Sequence, residues 1–149
     1  MNEVFNSELE LSLRILLSLY TASRSLNADE VVLSDFITVY SHEFGLSDKN
    51  LHGINEFSFA EFAARREQFH DALKYLVVNG YVTVLPTKDG FMYQNSDIGE
   101  SVCDSMATEY ADAYMDYSYK VHDYMNGKSI TELLSYINKM AMLRKEEAQ

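Results

Sequence analysis

The sequence predicts a mostly α, α+β domain: three helices, a β-hairpin, a long fourth helix and a C-terminal helix. Three observations carry this. One Pro and six Gly leave few breaks in 149 residues. Five helix-start signals recur, each a small polar residue followed three positions later by an acid, the spacing of a capping box. A single β-branched run, Tyr81-Val82-Thr83-Val84-Leu85, is followed by turn residues and a short return.

Ser7 with Glu10 opens a helix that reaches about Ser23. Leu9, Leu13, Leu16, Leu17, Leu19 and Tyr20 share one face, while Leu11, Ile15 and Ala22 form a second apolar stripe. A helix apolar on two sides is central or part of an interface, which makes Leu11 and Ile15 partner-contact candidates. Asn27 with Glu30 opens the second helix, which buries Val32, Leu33, Phe36, Ile37, Tyr40 and Phe44. Gly45 suits the left-handed position that ends it. Residues 45–57 show no period and read as a surface loop, often a binding element at this length.

The third helix runs from the Ser58/Glu61 signal to Asn79, with Phe59, Phe62, Ala63, Phe69, Leu73, Leu76 and Val77 inward. Pro86-Thr87-Lys88-Asp89-Gly90 is turn chemistry, and Phe91-Met92-Tyr93 returns the chain. Three helices followed by a hairpin is the order of a winged-helix domain, with the hairpin as wing. A generic α+β domain with an incidental hairpin is the alternative. From Asp97/Glu100 a fourth helix is expected to about Met125, spanning about 40 Å at 1.5 Å per residue. Its apolar arc holds Gly99, Val102, Cys103, Met106, Tyr110, Ala113, Tyr114, Tyr117, Val121 and Tyr124, and seven acids stand against Lys120. Met115 and Tyr119 fall outside that arc among the acids, which makes them partner-contact candidates as well. Ser129/Glu132 opens the last helix, to about Lys145, burying Ile130, Leu133, Leu134, Ile137 and Met140. The expected organisation is a winged-helix core over 1–96 and a helical extension over 97–149 packed on it as one domain.

Composition narrows the function. A net charge of −11 and a pI near 4.6 oppose a dedicated nucleic-acid binder, whose phosphate contacts need a basic face. No run of residues is apolar enough for a membrane span, and the opening Met1-Asn2-Glu3-Val4-Phe5 lacks a signal-peptide pattern. A lone Cys103 makes no internal disulfide. These features together suit a soluble, cytoplasmic, acidic domain.

No catalytic, cofactor or metal site is expected. His42-Glu43 lacks the second histidine of a zinc-protease helix, and His52, His70 and His122 fit no ligand spacing. Cys103 lies in an apolar arc, as a packed thiol does. The glycines form no phosphate loop. The third helix carries Glu61, Arg65, Arg66, Glu67, Asp71 and Lys74, a balance near zero, and the wing tip sets Lys88 beside Asp89, so Arg65 and Lys88 offer a weak, local DNA contact at most. Arg66 falls by helical phase between Phe59 and Phe62 on the apolar face. A buried guanidinium needs a carboxylate, so Arg66 is expected either to pair with one, such as Glu10 or Asp35, and fix the packing of the first three helices, or to send its head to water.

The chain also resembles a family. The segments that carry it are Phe5-Asn6-Ser7-x-Leu9-Glu10 with Leu13-Arg14-Ile15-Leu16, then Leu33-Ser34-Asp35-Phe36 and Tyr40-Ser41-His42-Glu43-Phe44-Gly45. Asn50-Leu51-His52, Phe62-Ala63-Ala64-Arg65-Arg66-Glu67, Gly80-Tyr81, Gly90, Tyr93 and Glu109-Tyr110-Ala111 extend it. In this order they resemble the small middle component of ABC-three-component systems, which include the Lamassu type of anti-phage and anti-plasmid defence. The resemblance implies a non-catalytic accessory subunit that bridges an SMC-like coiled-coil ATPase and an effector, often a nuclease, and meets DNA only through the complex. Where family members commonly place prolines after the loop's Leu-His, this chain has His52-Gly53-Ile54-Asn55-Glu56. The competing reading is a homodimeric winged-helix transcription regulator. Charge separates the two, since a regulator needs a basic third helix and wing.

Overall fold

The computed structural model describes residues 7–52 and 62–147. The Ser58/Glu61 signal, Phe59 and the loop residues 53–57 lie outside them.

Helix α1 spans Glu8–Ala22; the Ser7 side chain accepts the Glu10 amide, and Ser23 closes the helix in the left-handed region. Helix α2, Ala28–Val39, starts with a complete capping box: Asn27 accepts from the Glu30 amide, and the Glu30 carboxylate accepts from the Asn27 amide. It ends earlier than expected, because the chain tightens into a 3-10 turn over Ser41–Phe44 before Gly45, at φ 73°, reverses it. The Asn50 side chain takes the His42 amide, and Leu51 donates to the Val39 carbonyl, so the start of the following loop is tied to α2.

Helix α3 covers Phe62–Val78 among the described residues and buries Phe62, Phe69, Ala72, Leu73 and Leu76. Gly80 reverses the chain into an antiparallel hairpin, β1 (Val82–Thr87) and β2 (Gly90–Asn95), paired from Val82 with Asn95 to Thr87 with Gly90. The turn is tighter than expected. Pro86 belongs to the strand opposite Phe91, and only Lys88 and Asp89 lie between the strands. On the other edge of β2, Leu26 exchanges two backbone hydrogen bonds with Tyr93, at 2.9 and 2.7 Å. That bridge pins the α1–α2 connection to the hairpin.

The long fourth helix is in fact two. Helix α4, Asp97–Ser105, is capped by Ser96 rather than Asp97; helix α5, Glu109–Met125, is capped by Thr108, which accepts the Ala111 amide. Met106 is extended, and Tyr20 of α1 donates to Asp104 at 2.7 Å, holding the end of α4. A straight helix would carry its second half away from the core. The break instead folds α5 back across α1 and α2, burying Ala111, Tyr114, Ser118, Val121 and Met125. This face is turned from the expected one. Small residues permit the close approach: Ser118 bonds Thr21 at 2.7 Å, and Ser18 bonds Ser34 at 2.5 Å. Helix α6, Ile130–Glu147, opens with Ser129 and Glu132 bonded reciprocally and buries Leu133 and Ile137.

Close packing also explains Gly99. A Cβ there would sit 2.2 Å from the Tyr81 carbonyl oxygen, so α4 meets the hairpin root only without a side chain.

Candidate functional site

The charged centre of the molecule lies under α1, α2 and α5. Arg14, 1% exposed, meets Asp35, 2% exposed, through Nε to Oδ1 at 2.9 Å and Nη2 to Oδ2 at 3.0 Å. Tyr114, fully buried, donates its hydroxyl to the same Oδ1 at 2.7 Å. Burial opposes the Arg14 charge, and Asp35 more than offsets it, so the guanidinium is held above its ordinary pKa. Around this pair, His52 Nε2 lies 2.7 Å from the Tyr110 hydroxyl with the rings stacked. Burial, and then the nearby Arg14 charge, push the His52 pKa down to about 3. The network is a neutral pair of rings beside a closed ion pair. It ties three helices together.

The reasoning that a buried guanidinium needs a carboxylate holds, and Asp35 is that carboxylate, but the arginine is Arg14. Arg66 does pair with a carboxylate, but the partner is Asp29 rather than Glu10 or Asp35, and at 42% exposure its side chain lies at the surface and not on the apolar face. The inward position belongs to Arg65, 8% exposed, which sits one turn before Phe69. A guanidinium so covered does not reach a phosphate in this structure, which also corrects Arg65 as a DNA contact. Lys88 stands exposed at the hairpin tip beside Asp89. Arg14 was legible in principle, since it stands three residues from both Leu11 and Leu17 and its phase falls between theirs on the buried side of α1.

The remaining candidates divide by burial. Leu11 is 3% and Ile15 0% exposed, both packed in this chain's own core, so the second stripe of α1 offers no open contact here. Met115 packs partly against the core and does not point outward as expected, whereas Tyr119 is 49% exposed on α5. Leu9, expected inside, is 69% exposed. Cys103 is buried, and burial pushes its thiol up to about 12, which opposes thiolate formation.

Two depressions carry open apolar surface. One, of about 360 Å³, lies between α3 and the hairpin, lined by Leu73, Val77, Val78, Val84, Phe91 and Tyr93 with His70 and Lys74 at its side. Val78 and Phe91 there are largely exposed. The other, of about 550 Å³, lies where α1 faces the α4–α5 break; Leu13, Leu17, Met106 and Ala107 line it, with Glu10, Arg14 and Tyr110. Among the described residues no cluster of His, Cys, Asp and Glu is arranged to hold a metal ion. No helix among them is long and apolar enough to cross a membrane.

A family model matches residues 4–147, and the family is described as ABC-three component (ABC-3C) system Middle Component 2. The chain belongs to this family. A comparison with curated proteins and another with solved structures each found no match. Middle Component 2 is an accessory type of family that works with the other components of its system. For such a protein the exposed apolar depressions, rather than the closed ion pair, are the places to look for contact.

Proposed function

We propose that this Middle Component 2 is a non-catalytic connector in a Lamassu-type defence system. It would act in the cytoplasm, holding an SMC-like coiled-coil ATPase to an effector nuclease and meeting DNA only through the complex. In this reading residues 1–96 form a winged helix and residues 97–149 a helical extension packed on it. The Leu26–Tyr93 bridge supports the winged helix, because it places a third strand position beside the hairpin after the first helix.

The observation that carries the reading is the family match over residues 4–147, in a chain that leaves apolar surface open at two depressions. Connectors work by differential contact: the effector is restrained in one state of the complex and released in another. Charge supports the connector over the homodimeric regulator. With Arg65 turned inward, the exposed part of α3 offers Arg66, already paired, and Lys74 against Glu67 and Asp71.

Co-expression with the products of the adjacent genes tests this. The expected result is a complex of all three chains on size exclusion, lost when this chain is omitted. An ATPase and effector that assemble and stay silent without it would refute the connector role. Tight, site-specific gel shift by the isolated chain would favour the regulator.

A further inference from the structure

We propose that the pocket between α1 and the α4–α5 break receives an apolar side chain of a partner subunit, with a Lys or Arg of the same segment pairing with Glu10. The inference rests on the connector reading and adds to it a place and a chemistry.

The pocket is a consequence of the helix break. Three residues, Met106-Ala107-Thr108, turn the chain between two capped helices, and α5 then leaves toward the core. Leu13 and Leu17 of α1 face the corner thus opened, giving about 550 Å³ of mostly apolar space. That is room for a large side chain, since well-packed interiors leave few voids larger than a water. Leu9, 69% exposed, stands one turn before Leu13 on the same helix face and extends the apolar surface outward.

Glu10 decides the partner's charge. It lines the pocket and is partly buried, yet among the described residues its carboxylate accepts no hydrogen bond and joins no ion pair. The cation beside it, Arg14, is engaged by Asp35 and is not available to neutralise it. Glu109 follows Thr108 at the pocket wall and adds exposed negative charge. A half-covered carboxylate at the rim of an apolar hole suits an apolar anchor flanked by a cation. A second copy of this chain, at a net charge of −11, would bring like charge to the same place.

The experiment uses the full chain and the ATPase and effector components encoded beside it. Binding is measured with wild type and with Ala107→Trp, which fills the pocket from an exposed position, and Glu10→Lys. Glu8→Lys is the control: it makes the same charge change in the same helical turn but does not line this pocket. Both pocket variants are expected to weaken binding by about tenfold or more, with the control near wild type and all thermal midpoints comparable. Restoration of Glu10→Lys binding by a Lys→Glu or Arg→Glu change in the partner would confirm the pairing. Wild-type binding by both pocket variants, or equal loss in Glu8→Lys, overturns the assignment while leaving the connector intact. A dimer of the isolated chain that Ala107→Trp dissociates overturns it too, in favour of self-association. Failure of the wild-type chain to bind either component removes the connector reading itself, and this assignment with it.

Discussion

Replacing Asp35 with Ala should be among the most damaging single changes in this protein. The substitution strands Arg14, 1% exposed, without the carboxylate that meets it at 2.9 and 3.0 Å, and strands the Tyr114 hydroxyl that donates to the same oxygen. Breaking a buried pair from one side costs about 3–5 kcal/mol, because the remaining charge stays desolvated. Against a typical total of about 5–15 kcal/mol, that is a large share of stability. Asp29→Ala is the internal comparison, since its partner Arg66 is 42% exposed and Asp29 37% exposed. That pair should be worth about 1 kcal/mol or less. Removing the polar groups together, with Arg14→Met, Asp35→Leu and Tyr114→Phe, should recover part of the loss, because neither the arginine nor the Tyr114 hydroxyl is then stranded. Urea unfolding followed by far-UV circular dichroism, at unchanged m, measures all three. If Asp35→Ala costs no more than Asp29→Ala, the argument from burial is wrong.

Acid should weaken the fold through His52. Its pKa falls from 6.5 to about 3 in the folded chain, so the unfolded chain binds more protons between those values. Its contribution is present above about pH 6.5 and is lost as pH falls, by up to about 1.4 kcal/mol per unit. The wild-type unfolding midpoint should therefore drop more than that of His52→Gln between pH 7 and pH 5; parallel profiles would refute this. His122, also lowered chiefly by burial, should act in the same direction. Gly99→Ala should cost about 1–3 kcal/mol by urea titration, since its Cβ would press on the Tyr81 carbonyl. Asn27→Ala should cost about 1 kcal/mol, as half of the capping box is lost, and Asn27→Gly distinctly less. Tyr119→Glu should leave the isolated chain as stable as wild type, given 49% exposure, and complex formation then reports whether this face is used.

Residue order alone specifies local structure here. Capping signals at Ser7, Asn27 and Ser129 placed three helix starts, because each rests on hydrogen bonds within four residues. The hairpin followed from β-branched residues and turn chemistry in the same way. Tertiary structure decided what no local rule contains. The apolar period runs unbroken past Thr108, with no Gly or Pro to stop it, so only the gain from burying Tyr114 and Val121 against α1 and α2 reveals the break. The pocket at that break was therefore invisible from the sequence, and so was its Glu10 rim. The buried arginine shows the same limit. That a carboxylate must meet it follows from electrostatics, but whether Arg14 or Arg66 lies inward depends on how three helices rotate against one another. That rotation is set by small residues, Ser18, Ser34 and Ser118, whose identity says little until the helices they bring together are known.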